Sequence, residues 1–266
     1  MSVVPLVPVD PRILSSYRSV GGTGGPRTGL IPLARLGKAG ICTADTAAAL
    51  LALHEAVTAA GGDFRVTELH RDVSVQRAAR ARYDAWVRAG KPKPGTAGFD
   101  AEMMKAAFVA SPGRSGHNAG RSIDIDLSAL RFPGVAADKQ LDRLWEIAKP
   151  LGWSPIIRAA TEGASESWHF DFWGPLTGVL LRLGYEQAAL CGAILVGHGD
   201  LSGYDAEVQA LLCRAGFDIG AIDGKIGART RAALSAALGV SESVAATMIV
   251  SRDPAALMRL LALPPA

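Results

Sequence analysis

The sequence predicts an α+β fold: a first domain with a small, mainly antiparallel sheet flanked by helices, then a small all-α domain of three helices. Three observations carry this expectation. RSIDIDL (121–127) and ESWHFDFW (166–173) alternate with period two, as half-buried strands do, helical stretches lie around and between them, and after Trp173-Gly174-Pro175 only helical periodicities punctuated by glycine remain. The chain has 266 residues, which at about 150 residues per domain suits two domains better than one.

Residues 1–40 carry Pro5, Pro8, Pro11, Pro26, Pro32 and the cluster Gly21-Gly22-Thr23-Gly24-Gly25, and are expected to form an N-terminal arm without a fold of its own, wrapped over the rest or mobile. A first helix is expected at 44–60, with Ala48, Leu51, Ala52 and Glu55 at helical spacing, Thr43 or Asp45 as N-cap and Gly61-Gly62 as stop. Phe64, Val66 and Glu68 alternate with Arg65, Thr67 and Leu69 as a short strand, followed by a charged helix Ser74–Arg88 that Gly90, Pro92 and Pro94 end. Further helices are expected at 101–109, 138–149, 205–215, 229–238 and 242–262. The expected organisation is therefore an arm at 1–40, a domain at 41–175, a helical linker at 176–198 and a second domain at 199–266.

With 49% apolar and 20% charged residues the chain has the material for a core, which excludes extensive disorder. The balance of 28 Lys+Arg against 25 Asp+Glu, a net +3, is too small to predict a nucleic-acid partner. The most apolar stretch, Gly178–Gly197, is broken by Arg182, Glu186 and Gln187, so no membrane span is expected despite the mean hydropathy of +0.20. The opening MSVVPLVPVDPR has no basic n-region and is broken by prolines, so synthesis in the cytoplasm without a secretory signal is expected. Cys42, Cys191 and Cys213 have no paired spacing and are expected as reduced, buried small residues. A monomer is expected.

The chemistry concentrates in two motifs. In SGHNAGRSIDID, alternation puts Ser122, Asp124 and Asp126 on the polar face and Ile123, Ile125 and Leu127 in the core, with His117 in the turn before the strand. In ESWHFDFW, His169, Asp171 and Trp173 share one face, and Trp168, Phe170 and Phe172 the apolar one. His117, Asp124 and His169 together make a three-ligand site for Zn2+ with an open fourth position, and Glu166 is the candidate acid/base, with Glu162 in TEGASE as second candidate. Asp126 and Asp171 either orient an imidazole or are solvated carboxylates. His54 and His198 have no partner pattern and are expected to be structural.

The pattern Ser115-x-His117-x-x-Gly120-x-Ser122-x-Asp124, followed by Glu166-x-Trp168-His169, resembles the zinc D-Ala-D-Ala peptidase family of D,D-carboxypeptidases, D,D-dipeptidases and L-alanyl-D-glutamate endopeptidases. The resemblance covers about residues 60–175 and implies His117, Asp124 and His169 as zinc ligands and Glu166 as catalytic acid/base. It also implies Arg71 as a substrate-contacting and catalytic guanidinium, with Gln76 and Ser115 beside it in substrate binding. Two departures are visible: Ser122 stands where the family has Ala, an exchange expected to be neutral, and Glu68-Leu69-His70-Arg71 replaces the family's Ser-Gly-Tyr-Arg. The tail, with Gln209, Gly216-Phe217, Ile222-Asp223-Gly224, Ile226, Gly227 and Thr230, resembles a peptidoglycan-binding module. Together these imply a zinc-dependent peptidoglycan peptidase, with a phage or prophage endolysin acting on the wall after release as its expected form, or alternatively a non-catalytic metal-containing wall-binding or signalling protein of the same fold.

Overall fold

The structure, a computed structural model, describes residues 3–14, 40–98, 110–160, 166–197, 201 and 203–266. The helix expected at 101–109, and with it Glu162 and His198, lies outside these residues.

The centre is a four-stranded, wholly antiparallel sheet in the order β3 (Val66–Glu68), β4 (Ser122–Ile125), β6 (His169–Phe172), β5 (Trp153–Pro155). Both period-two motifs thus become its middle strands, paired with Ser122 opposite Asp171 and Asp124 opposite His169. The inward residues Val66, Ile123, Ile125, Trp153 and Phe170 meet helices α1 (Ala44–Ala59) and α3 (Gln140–Ala148) through Leu50, Leu53, Val57, Leu141 and Leu144 in one core. Helix α2 (Val73–Arg88) leaves β3 under a cap in which Asp72 accepts from the Ser74 N–H at 2.8 Å.

Part of the expected arm is built into the fold. β1 (Leu6–Pro8) pairs antiparallel with β2 (Ile41–Thr43), and Val9 and Ile13 are buried in the sheet core. Trp168 corrects the expected alternation: β6 begins only at His169, so Trp168 lies in the turn before it, 37% exposed, while Phe170 remains in the core.

The described part of the stretch expected as a linker, 176–197, contributes to a core. In α5 (Tyr185–Leu195) every residue from Ala188 to Leu195 is buried, a helix covered on all sides as its apolar composition requires. With α4 (Thr177–Leu183) it shares one apolar cluster with Trp173, Leu176 and the tail helices α6 (Tyr204–Arg214), α7 (Ala228–Leu238), α8 (Glu242–Val250) and α9 (Pro254–Leu261). The single helix expected at 242–262 is two, because Pro254 has no N–H and blocks the preceding turn, and Asp253 caps the new start by accepting from the Ala255 N–H at 2.8 Å. Among the described residues no single helix is long and apolar enough to cross a membrane. The three cysteines are free and buried, and burial pushes the Cys42 and Cys213 thiols up to about 12.

Two polar knots hold the layers. Arg121, at the entry to β4, donates to Asp45 at the start of α1 (2.7 and 3.3 Å) and to the Trp173 carbonyl (3.2 Å). In the tail, the buried Gln209 side chain accepts from the Asp223 and Gly224 N–H groups (3.0 and 2.8 Å) and donates to Asp223 Oδ1 and the Lys225 carbonyl (2.9 and 3.0 Å). It clamps the expected Asp223-Gly224 turn, whose Gly224 has φ +72°.

Burial alone would raise the Asp45 carboxyl, but the Arg121 charge and hydrogen bonds win and hold it below its ordinary value. A lowered carboxylate contributes stability above its unfolded-state pKa and loses it as pH falls through the folded one. Asp45→Asn is therefore expected to cost about 1–2 kcal/mol near neutrality, discounted for the partly exposed carboxylate, with the difference from wild type starting to shrink below about pH 4 and vanishing only below the lowered folded-state pKa; urea unfolding at a series of pH values measures it. Gln209→Ala removes the buried amide that ties the Asp223-Gly224 turn to α6 and is expected to cost about 1–3 kcal/mol, read by the same unfolding experiment; an unchanged midpoint would reject the clamp.

Candidate metal centre

The site grows from the register of β3, β4 and β6. Glu68 stands opposite Asp124 across β3/β4, and Asp124 opposite His169 across β4/β6, so three polar residues form one row on the face away from the core. A register irregularity between Val66 and Glu68 is a bulge that redirects the end of β3 beside the site.

His117 reaches this row from the turn that precedes β4. The turn is zipped to the segment after β3: the Arg71 N–H donates to the His117 carbonyl (3.1 Å), and Asn118 donates to the Arg71 carbonyl (2.7 Å) while accepting from the Gly113 N–H (3.0 Å). From outside the sheet, α5 packs onto the same turn so closely that a Cβ on Gly192 would lie 2.5 Å from Ala119 Cβ. Tyr185 of α5 accepts from the Gly116 N–H at 3.4 Å.

His117 Nε2 lies 3.2 Å and His169 Nδ1 3.0 Å from the same Asp124 Oδ1, the rings meeting edge-on with centroids 4.9 Å apart. The other nitrogens are both taken by acceptors, His117 Nδ1 by the Leu69 carbonyl at 2.7 Å and His169 Nε2 by Asp171 Oδ1 at 2.9 Å. A carbonyl and a carboxylate can only accept. Each imidazole therefore spends its N–H outward and turns a lone pair inward, toward a carboxylate oxygen. Three acceptors within 4.8 Å of one another repel unless a proton or a metal ion lies among them. Two imidazoles and one carboxylate, each outer nitrogen fixed by a hydrogen bond, are the donor set of a zinc centre, and the residues fit that ion.

The charges agree with this arrangement. Burial alone would raise the Asp124 carboxyl, yet the two histidines hold it far below the usual range. Burial disfavours charge on His169, but Asp171 and Asp124 overcome it and push its pKa up to about 10. Glu166 stands in the turn before β6 with φ +67°, its carbonyl accepting from the His169 N–H at 3.0 Å. A positive φ is uncommon for a residue with a side chain and marks a constrained position. Burial raises the Glu166 carboxyl above its ordinary value, the direction that suits an acid/base group.

The other expected site residues are placed differently. Arg71 is held by Glu68, whose carboxylate takes both Nε and Nη2, and by Gln76 Oε1 at 3.1 Å; these hydrogen bonds outweigh burial and keep its pKa raised. Gln76, expected to touch substrate, is fully buried and donates to the Ala110 carbonyl at 2.9 Å: its amide holds Arg71 from behind. Ser115, expected in the same role, is buried and accepts from the His117 N–H at 3.3 Å, so it shapes the turn. Asp126 does not reach either imidazole, because its carboxylate accepts from Ser128 N and Oγ (3.0 and 2.5 Å) in a cap after β4. Asp171 does hold His169. Glu68 was not foreseen, though an acid on the apolar side of the Phe64, Val66, Glu68 alternation was its signal; Asn118 and Tyr185 left none. Beside the metal position runs a cavity of about 510 Å³ lined by Thr67, Glu68, Asp124, Asp126, Ser128 and Trp168.

The fold and this centre define a two-histidine, one-aspartate metallopeptidase type of domain, an antiparallel sheet carrying a metal site on its polar face. The family model described as VanY: D-alanyl-D-alanine carboxypeptidase matches residues 41–175, half of the chain, and the chain belongs to that family of zinc peptidases. Among solved structures, one of VanYB in complex with D-alanine-D-alanine aligns at 20% identity and TM-score 0.35 over 50% of this chain and 71% of that one. A vancomycin resistance D,D-pentapeptidase VanY mutant in complex with Zn(II) aligns at 18% identity and TM-score 0.33 over 60% and 83%. The LdcB LD-carboxypeptidase aligns at 16% and 0.37 over 68% and 79%. At these scores the alignments add nothing to the assignment, which rests on the family model. No curated protein matches the chain.

Gly116 tests the packing of the centre. A Cβ there would lie 1.9 Å from Ser122 Oγ and 2.5 Å from Asp171 Oδ1, so Gly116→Ala is expected to destabilise the fold by about 1–3 kcal/mol and to weaken metal binding, measured by thermal unfolding with and without zinc. A variant as stable and as zinc-responsive as wild type would contradict this geometry.

Proposed function

We propose that the chain is a zinc-dependent peptidoglycan peptidase that hydrolyses an amide of the stem peptide or cross-link, D-Ala-D-Ala first and L-Ala-D-Glu as the other bond in range. The observation that carries the reading is the convergence of His117 Nε2, His169 Nδ1 and Asp124 Oδ1 beside the raised carboxyl of Glu166. His117, Asp124 and His169 would hold the ion, and Zn2+ there supplies Lewis acidity toward a water and a carbonyl oxygen. Glu166 takes the proton of the attacking water and returns it to the departing amine, a task its burial-raised carboxyl suits. Arg71, kept charged and aimed by Glu68 and Gln76, offers positive charge to a substrate carboxylate or to the oxygen that gains negative charge in the transition state. Glu68, Asp126 and the exposed Trp168 line the cavity in which the peptide lies.

In the same reading, the helices from about residue 199 onward bind peptidoglycan, holding the enzyme on an insoluble polymer and raising the local concentration of cleavable peptides. The work is done at the cell wall, by a monomer, with release at lysis of a phage or prophage host as its route there.

Purified sacculi incubated with the chain and zinc, with fragments identified by mass spectrometry, test the reading. Release of D-Ala or separation of L-Ala from D-Glu is the expected result, and sacculi left intact would reject it. Glu166→Ala is expected to lower turnover by about 10²- to 10⁴-fold while zinc content and sacculus binding stay at the wild-type level. If wild type binds zinc and sacculi but cuts nothing, the non-catalytic wall-binding alternative takes its place.

A further inference from the structure

We propose that Ser122 is a positioning residue of the metal centre, acting through Asp171 on His169. The inference rests on the proposed role of His169 as a ligand and adds the group that sets its orientation.

Ser122 stands where the family pattern carries alanine, and its exchange was expected to be neutral. The structure gives it a task. Its side chain is fully buried, and its hydroxyl donates to Asp171 Oδ1, the same oxygen that accepts from His169 Nε2 at 2.9 Å. The pair is built into the sheet, since Ser122 faces Asp171 one step along from the Asp124 and His169 pair. The hydroxyl is also confined from above: Gly116 leaves no room even for a methyl group, whose carbon would fall 1.9 Å from Ser122 Oγ.

The physical consequence follows from donors and acceptors. Asp171 is buried, and a carboxyl group inside a protein needs hydrogen-bond partners to stay in one orientation. With Ser122 and His169 both donating to Oδ1, the carboxylate plane is fixed and the imidazole keeps its proton on Nε2. His169 then keeps its Nδ1 lone pair 3.0 Å from Asp124 Oδ1, where a metal ion would be held. Alanine at 122 removes one of these two donors and leaves Asp171 free to turn, loosening both the plane and the tautomer of His169. Hydrogen-bonded groups behind a metal-bound histidine typically change metal affinity by about 10- to 100-fold when removed.

The experiment compares full-length wild type, S122A, D171N and the double variant in zinc titrations against a chromophoric chelator, with the solvent exchange of the His169 Nε2–H, followed by NMR in the zinc-loaded proteins, as a second readout. S122A is expected to weaken zinc about tenfold and D171N by about 10- to 100-fold, and the double variant to match D171N, because Ser122 acts through Asp171. In S122A the Nε2–H should exchange with solvent faster than in wild type. Wild-type affinity and an unchanged Nε2–H exchange rate in S122A would overturn the proposal, as would losses that add in the double variant. Should D171N fail to fold, the two S122A readouts decide alone, alanine being the smaller side chain at a buried site. Failure of S122A to change anything leaves the peptidase reading standing, whereas a wild-type chain without zinc affinity overturns both.

Discussion

The pairing register between β4 and β6 is the constraint on which the rest of the site depends. It sets Asp124 opposite His169 and Ser122 opposite Asp171, and because side chains alternate with period two, the same register buries Ile123 and Phe170 on the other face. A slip of one residue would turn both pairs into the core and the apolar residues into the cleft. The hydrophobic core and the metal centre therefore specify each other: about as much apolar burial as holds the sheet together is lost in any register that dismantles the site. Arg121 secures the arrangement at one end, joining the start of β4 to the first turn of α1 and to the backbone just past β6.

Much of this was legible in the sequence because it is periodic. Two alternating runs with polar residues at fixed spacing give two strands, their faces and the three converging donors, and the order of elements gives the fold class. What the sequence hides are the features that depend on contacts between distant segments. Gln76 and Ser115 carry polar groups that look available to substrate, but the packing of the segments around them buries both. Asp126 shares a face with Asp124, yet the chain leaves the strand at Ile125 and its carboxylate serves a local cap. Periodicity also overruns real ends, as at Trp168, where the alternation continues one residue beyond the hydrogen-bonded strand, and at Pro254, where one helical pattern spans two helices.

The stretch after residue 175 shows how composition misleads about boundaries. A run of small apolar residues between two pattern changes looks like a connector, but Ala188 to Leu195 carry too little polar surface to be exposed and instead form the centre of the second core. The same helix presents Gly192 to Ala119 and Tyr185 to Gly116. The turn carrying His117 is thus braced on one side by the sheet and on the other by a helix beyond the matched family region, which ends at residue 175. A close helix contact of this kind needs glycine at the crossing, and only the structure reveals which glycine it is.

Electrostatics explain why so many carboxylates tolerate one small volume. Glu68, Asp124, Glu166 and Asp171 gather around two imidazoles and one guanidinium, and each has a different compensation. Glu68 spends its charge on Arg71, Asp171 is held by Ser122 and His169, and Asp124 faces the two histidines, with only a proton or a metal ion able to sit among the acceptors. Glu166 alone lacks a dedicated cation, and burial accordingly shifts it toward the neutral acid. In the proposed function the environments thus separate the carboxylates into one that supports a guanidinium, one that would orient a ligand, one that would hold the ion and one suited to exchange a proton. Removing the donor or cation that faces any of the first three would leave a buried charge without a partner, which is strongly destabilising.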